Sequence, residues 1–209
     1  MSLDEEDSVS SITYDKKLKI MVVGESLVGK TSLIRRYTKN KFGGDYLATI
    51  GIDFQFKYLD INGKKVKVEL WDTAGQERFK SIAKTYFQSS DGLLIVYDIT
   101  CRNSFSKLDD WFEQIRLNAP ENSKLMLVGN KKDIEKKREV SMEEGLNFAN
   151  QNNVKFYETS AKDGTNVNSV FELLAQEIIS DEEIIKTRNK RSSQVLKKKN
   201  IKPEKKACC

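Results

Sequence analysis

Histidine is absent from this chain and cysteine is scarce. With no imidazole anywhere in the 209 residues, Ser-His-Asp and Cys-His nucleophilic machinery is excluded, together with most zinc sites. The three cysteines, Cys101, Cys208 and Cys209, are an odd number with two at the C-terminus. That is no disulfide framework, and it suits a reducing, cytosolic setting. Long apolar runs are missing too. The longest, "GLLIVY", suits a buried strand and falls far short of a bilayer span. The N-terminal "MSLDEEDSVSS" is acidic and polar where a secretory signal needs an apolar centre, and Ser2 stands where N-myristoylation needs glycine.

What is present is unevenly charged. The formal net charge of +5 conceals a tail in which ten Lys/Arg face one acid, Glu204, from Lys186 onward. The tail therefore carries +9, and residues 1–185 carry −4. An acidic body with a basic tail argues against a nucleic-acid-binding face on the fold. At 38% hydrophobic and 32% charged residues the composition is globular, and the length suits one domain. Residues 1–14 and 182–209 are expected to be disordered appendages, flexible and, at the C-terminus, basic; the domain lies over 15–181.

Strand-like and helix-like patterns alternate between those ends. "IDFQFKYLDI" and "KKVKVELWD" alternate with period two around Asn62-Gly63, a strong hairpin signal. "LKIMVVG", "GLLIVYD", "KLMLVGN" and "VKFYETS" are short apolar runs of the parallel-sheet kind. "SFSKLDDWFEQIRLNA", "SMEEGLNFANQ" and "NVNSVFELLAQEII" repeat apolar residues at three and four, after candidate caps Asn103, Ser141 and Asn166. One hairpin plus βα repeats predicts an α/β fold: a six-stranded, mostly parallel sheet with one antiparallel strand and helices on both faces.

Four motifs sit at the carboxyl ends of these strands. "GESLVGKT", Gly24 to Thr31, has the G-x-x-x-x-G-K-[ST] spacing between a strand and a helix. Its backbone N–H groups, from Ser26, Leu27, Val28 and Gly29 through to Ser32, would cradle phosphates at a helix N-terminus. Lys30 would reach the β- and γ-phosphates, and the Thr31 hydroxyl would bind Mg²⁺. "DTAGQE" follows the second hairpin strand. Asp72 suits a water-mediated Mg²⁺ ligand, Gly75 can bring its N–H to a γ-phosphate, and Gln76 can orient an attacking water. In "NKKD", Asp133 can accept both donors on the pairing edge of guanine, which adenine does not offer. Asn130 would brace that loop and the Lys131 stem would lie over the base. In "TSAK", from Ser160, Ala161 offers its N–H to the guanine oxygen and Lys162 stacks.

In this order and spacing the set resembles the Ras superfamily of small GTPases over residues 18 to about 180. The P-loop NTPase, small G-protein fold, GTP/GDP as bound nucleotide, Mg²⁺ and GTP hydrolysis by a monomer are what the resemblance implies. It further implies Phe42 edge-on to the base, Tyr46 over the phosphates, and Thr49 on Mg²⁺ and the γ-phosphate. "TIGIDF", "QERFKSI", "LIVYDIT" and the terminal Cys-Cys are similar to Rab proteins, regulators of vesicle traffic. That likeness implies two prenyl groups on Cys208 and Cys209, hence a cytoplasmic face of an intracellular membrane, cycling with the cytosol. The implied partners are an exchange factor, a GTPase-activating protein, effectors, a GDP-dissociation inhibitor and a prenylation escort protein. Two departures stand out. Leu27 occupies a position where glycine is favoured, and "TYFQSS" replaces Tyr-Tyr-Arg-Gly-Ala. Trp71 and Phe79 read either as packing residues or as partner contacts. Read alone, the tail lysines also suit a solvated tail or a nuclear-localisation cluster. Two other functions share the phosphate loop: a nucleotide kinase, which would need an acceptor lid that no residues remain to build, and a module that binds GTP without cleaving it.

Overall fold

The computed structural model describes residues 13–43, 52–73 and 86–181. Strand β1 is Lys16–Val23 and helix α1 is Lys30–Lys39, followed by β2, Ile52–Ile61, and β3, Lys64–Thr73. Then come β4, Gly92–Asp98, the short helix α2, Arg102–Ser106, and α3, Leu108–Asn118. Strand β5, Lys124–Asn130, a 3-10 stretch over Lys132–Lys137, α4, Met142–Gln151, and β6, Lys155–Glu158, complete the alternation. Helix α5 runs from 167 to the last described position, 181.

The six strands lie in the order β2-β3-β1-β4-β5-β6. All neighbours are parallel except β2 and β3, a hairpin in register from Ile52 opposite Thr73 to Ile61 opposite Lys64. Its two-residue turn places Asn62 at φ 55 and Gly63 at φ 72, the left-handed pair whose twist matches the strands. The α/β sheet predicted from the patterning is the one formed.

Each sheet face buries its own apolar layer. Leu33, Ile34 and Tyr37 of α1 and Val170, Phe171, Leu174 and Ile178 of α5, spaced by three and four, close over Leu18, Ile20, Val68 and Leu70. On the other face Leu108, Phe112 and Ile115 of α3 and Ala149 of α4 pack on Met21, Leu93, Ile95 and Leu127. Burying side chains of this size contributes roughly 1.5–3 kcal/mol each, and it pins the strand ends that carry the motifs.

Two helix starts differ from the sequence pattern. The predicted single helix "SFSKLDDWFEQIRLNA" is two, because at Lys107 the chain turns and a new first turn begins, carrying Asp109 and Asp110 at its positive end. Its upstream cap is Cys101, not Asn103, and no side chain caps it. Asn166 precedes α5 in a left-handed conformation, φ 56, with its Nδ2 donating to the Glu158 carbonyl at 2.8 Å rather than capping. Ser141 does cap α4, in a reciprocal box with Glu144.

Candidate functional site

The turn from β1 to α1 is built on two glycines that no other residue can replace. Gly24, at φ 138, would put a Cβ 2.1 Å from the Val96 carbonyl oxygen. Gly29, at φ 98, would put one 2.4 Å from Asn130 Nδ2. Inside the turn, Lys30 Nζ donates to the carbonyls of Gly24 at 2.8 Å and Glu25 at 2.7 Å. Burial of that ammonium lowers its pKa to about 8, against the pull of Asp72 and Glu25. A desolvated cation inside a glycine turn fits a phosphate chain, whose charge would relieve the penalty. Ser26 and Leu27 form the exposed rim, Val28 is buried, and Ser32 is half-buried on α1. Leu27 adopts φ 65 with 64% of its surface exposed, so the bulky departure noted in the sequence sits in the left-handed region. Below the loop the Thr31 hydroxyl donates to Asp72 Oδ2 at 2.6 Å. Two hard oxygen donors at the mouth of an anion cradle fit Mg²⁺, which takes few protein ligands and completes its shell with water and phosphate. No cluster of three or more His, Cys, Asp or Glu exists among the described residues.

The base-side loops are tied to the phosphate loop by one buried amide. Asn130, 1% exposed, donates from Nδ2 to the Val28 carbonyl at 2.8 Å. Its Oδ1 accepts from Thr159 Oγ1 at 3.1 Å and from the Ala161 N–H at 3.3 Å. Asp133 Oδ1 accepts from Ser160 Oγ at 2.7 Å, and Lys162 Nζ lies 3.8 Å from Asp133 Oδ2. The Asp133 carboxylate is therefore oriented by the "SAK" loop. Lys131, at φ 71, pairs its Nζ with Asp98 Oδ2 at 2.7 Å, which fixes its stem. Behind both loops a bidentate pair joins Arg138 to Glu158, 2.6 Å and 2.9 Å, with Glu158 only 3% exposed.

Thr31, Lys30, Asp72, Asn130, Lys131, Asp133, Ser160, Ala161 and Lys162 are thus brought to one edge of the sheet. Phe42, 51% exposed, follows the end of α1. Tyr46, Thr49, Gly75, Gln76, Phe79, Cys208 and Cys209 lie outside the described residues. Sequence reading missed several supports: Arg36, which donates to the Ala161 and Lys162 carbonyls; Arg138 with Glu158; and Trp111, whose Nε1 donates to Glu25 Oε1 at 3.1 Å. It also missed a ring stack. Trp71 lies between Phe54, at 5.6 Å, and Tyr86, at 5.0 Å, on the sheet face opposite α1. Phe54 and Phe56, two positions apart in β2, are both exposed.

A glycine turn with a buried lysine between β1 and α1, the "NKKD" and "SAK" loops tied to it and this strand order define a P-loop protein of the small-GTPase kind. The model of the Ras family matches residues 19–180. Ras-related protein Rab-13 of Canis lupus familiaris is 44% identical over 166 residues, covering 79% of this chain and 82% of the relative. Ras-related protein Rab-11B of Dictyostelium discoideum is 47% identical over 163 residues, 78% and 74% of the two chains. Ras-related protein SEC4 of Saccharomyces cerevisiae (strain ATCC 204508 / S288c) is 44% identical over 164 residues, 78% and 76% of the two. The chain belongs to the Ras superfamily, in its Rab family, and is a small GTPase, a GTP phosphohydrolase of vesicle trafficking. No helix among the described residues is long and apolar enough to cross a membrane.

Proposed function

We propose that the chain is a GTP/GDP switch whose domain over 15–181 reads guanine through Asp133 and Ala161 and holds the phosphates on the loop from Ser26 to Ser32. The observation that carries this is the Asn130 brace, which couples the phosphate loop, "NKKD" and "SAK" through one buried amide. Lys30 neutralises the β- and γ-phosphates, and the desolvation of its buried ammonium, met so far by two carbonyls, makes an added anionic partner favourable. Mg²⁺, held by Thr31 and Thr49 and through water by Asp72, would supply charge neutralisation on the phosphate oxygens. Gln76 orients the attacking water, and Gly75 and Thr49 sense the γ-phosphate, so that loss of that group releases the segments around them. Phosphoryl transfer of this type is positioning plus charge stabilisation, and turnover without a partner is slow, on the order of 10⁻⁴ to 10⁻² s⁻¹.

The finer trafficking role rests on the tail and on the ring stack. Prenyl groups on Cys208 and Cys209 anchor the chain to the cytoplasmic face of an intracellular membrane, and the basic tail from 182 adds attraction to anionic lipid. An escort protein presents the chain for prenylation and a GDP-dissociation inhibitor returns it to the cytosol. Phe54, Trp71 and Tyr86 offer effectors an aromatic anchor beside the nucleotide-sensing segments. Displacement of a fluorescent guanine nucleotide tests the core of the reading. GTP and GDP should compete far better than ATP, by the roughly 2–5 kcal/mol of a desolvated charge-assisted pair, and equal displacement by ATP would sink it.

A further inference from the structure

The base subsite has two halves, a carboxylate that reads donors and a backbone N–H that reads an oxygen. Asp133 is oriented by Ser160, and the peptide units that follow the Ala161 N–H are held by a residue of α1, on the same sheet face as Ala161. Arg36 Nε, on the last turn of α1, donates to the Ala161 carbonyl at 2.8 Å, and its Nη2 donates to the Lys162 carbonyl at 2.5 Å. Nη1 donates to the carbonyl and the side-chain oxygen of Asn40, at 3.2 Å and 3.1 Å. Asn40 ends α1 in a left-handed conformation, with its own N–H returned to the Arg36 carbonyl at 3.0 Å. One planar fork thus fixes the loop that lies under the base and the point where the chain leaves α1 toward Phe42. Lysine offers a point charge and cannot serve three directions in one plane.

We propose that Arg36 is a positioning residue for base selection: by holding the Ala161 and Lys162 carbonyls it aims the Ala161 N–H at the 6-oxo group of guanine. The N–H itself makes a long 3.3 Å contact to Asn130 Oδ1, which a base oxygen can share. Two backbone links agree with a turn held in advance. Gly164 N–H donates to the Ser160 carbonyl at 2.9 Å, and Ser160 N–H to the Thr165 carbonyl at 3.1 Å. Those bonds close the turn on itself, and Arg36 is what orients it against α1. Gly164, at φ 90, supplies the left-handed conformation that the turn needs beside the Arg36 stem.

The inference rests on the guanine reading above, and two nucleotide analogues separate the halves of the subsite. 6-Thioguanosine diphosphate keeps both N–H donors that Asp133 reads and puts a weak sulfur acceptor in place of the oxygen. Inosine diphosphate keeps the oxygen and lacks the 2-amino donor. Affinities of the full-length protein for GDP and both analogues are measured by competition, with Arg36→Ala and Arg36→Lys beside the parent. The parent should prefer GDP over each analogue. Both variants should lose about tenfold of the preference over the thio analogue, roughly the worth of one good hydrogen bond, and keep the preference over inosine diphosphate within about twofold. A general loosening of the fold would erode both preferences together, and that result overturns the proposal. So does a thio preference that survives in Arg36→Ala, or one that Arg36→Lys restores, since charge alone would then suffice. A parent with no preference for GDP over either analogue would refute the guanine reading itself. If Arg36→Ala does not fold, Arg36→Lys carries the same comparison.

Discussion

Asn130 Nδ2 and the Val28 carbonyl meet at 2.8 Å across 102 positions of sequence, and that bond joins the phosphate half of the site to the base half. Replacing Asn130 with alanine leaves the Val28 carbonyl, the Thr159 hydroxyl and the Ala161 N–H without this partner in a dry interior. Stability of the nucleotide-free protein should fall by about 1–3 kcal/mol for each group left unsatisfied, and guanine-nucleotide affinity should fall with it. Urea unfolding and nucleotide dissociation rates give the two numbers. A variant that unfolds earlier yet binds as tightly as the parent would show that the brace serves the fold alone.

Arg138 and Glu158 support the base loops from behind. Glu158 is buried, and its two oxygens take both Arg138 nitrogens, while Arg138 also holds Glu135 and the Val140 carbonyl. Arg138→Met leaves the buried Glu158 carboxylate with the Lys132 ammonium at 4.0 Å in place of two hydrogen bonds, and should cost up to about 3–5 kcal/mol. Adding Glu158→Gln to that variant removes the stranded charge and should recover a large part of the loss. Denaturant midpoints of the single and double variants decide it: equal losses would mean that the charge was never isolated.

Acid should loosen the start of α4 first. Hydrogen bonds from Arg102, and then from the Ser141 backbone and hydroxyl, pull the Glu144 carboxyl down to about 2. A carboxyl whose folded pKa lies below its unfolded value stabilises the fold fully above about 4.5, and loses that contribution as pH falls toward 2. Glu144→Gln should therefore flatten this part of the acid limb of the stability curve and leave the neutral limb lower but parallel. Thermal unfolding from pH 7 to pH 3 is the measurement, and an unchanged acid slope would remove Glu144 from the account.

Leu27 is strained and exposed, so little packing is lost by trimming it. A left-handed non-glycine residue costs roughly 1–2 kcal/mol, and glycine gives back about 0.5–1 kcal/mol through the freer unfolded chain. Leu27→Gly should stabilise the protein by up to about 1 kcal/mol. A drop in melting temperature would mean that the leucine makes contacts worth more than its backbone strain.

The tail makes a prediction of a different kind. Cys208→Ser with Cys209→Ser should release the protein from membranes into the soluble fraction with GTP binding unchanged, because stable anchoring needs two lipid chains. Replacing the tail lysines should shift membrane preference only, with each near an anionic leaflet worth about 1 kcal/mol. A double-serine protein that still pellets with membranes would assign the binding to the lysines.

Much of this molecule was legible in its sequence, and the pattern of what was not has a physical reason. "GLLIVYD" and "KLMLVGN" are β4 and β5 to the residue, and Asn62-Gly63 fixed the hairpin, because both signals are local: side-chain period in one case, φ above zero in the other. Ser141 was readable as a cap because Glu144 stands three residues on. Asn103 and Asn166 were not, since an asparagine before an apolar run can cap or turn with equal ease, and burial of the neighbouring elements chose. Leu27 announced itself as an anomaly. The motif residues declared their chemistry, but the supports did not: Arg36 reaches Ala161 over 125 positions and Trp111 reaches Glu25 over 86. Such contacts exist only after the sheet has formed, and nothing in the spacing of an arginine or a tryptophan marks its distant acceptor.

The hairpin register has a mechanical consequence. Ile52 and Thr73 are opposite partners, so the stretch that runs into β2 and the stretch that runs out of β3 are bolted to one rung of a ladder. A ladder slides only in whole steps, because a one-residue slip would take Val66, Val68 and Leu70 out of the layer under α1 and α5 and put the Glu69 carboxylate into it. The smallest slip that keeps the same faces is two residues, about 6.8 Å along the strand. The two stretches therefore share an anchorage that either holds still or jumps. A partner gripping the aromatic face of the hairpin takes hold of a bracket common to both, and reads their combined position rather than either alone.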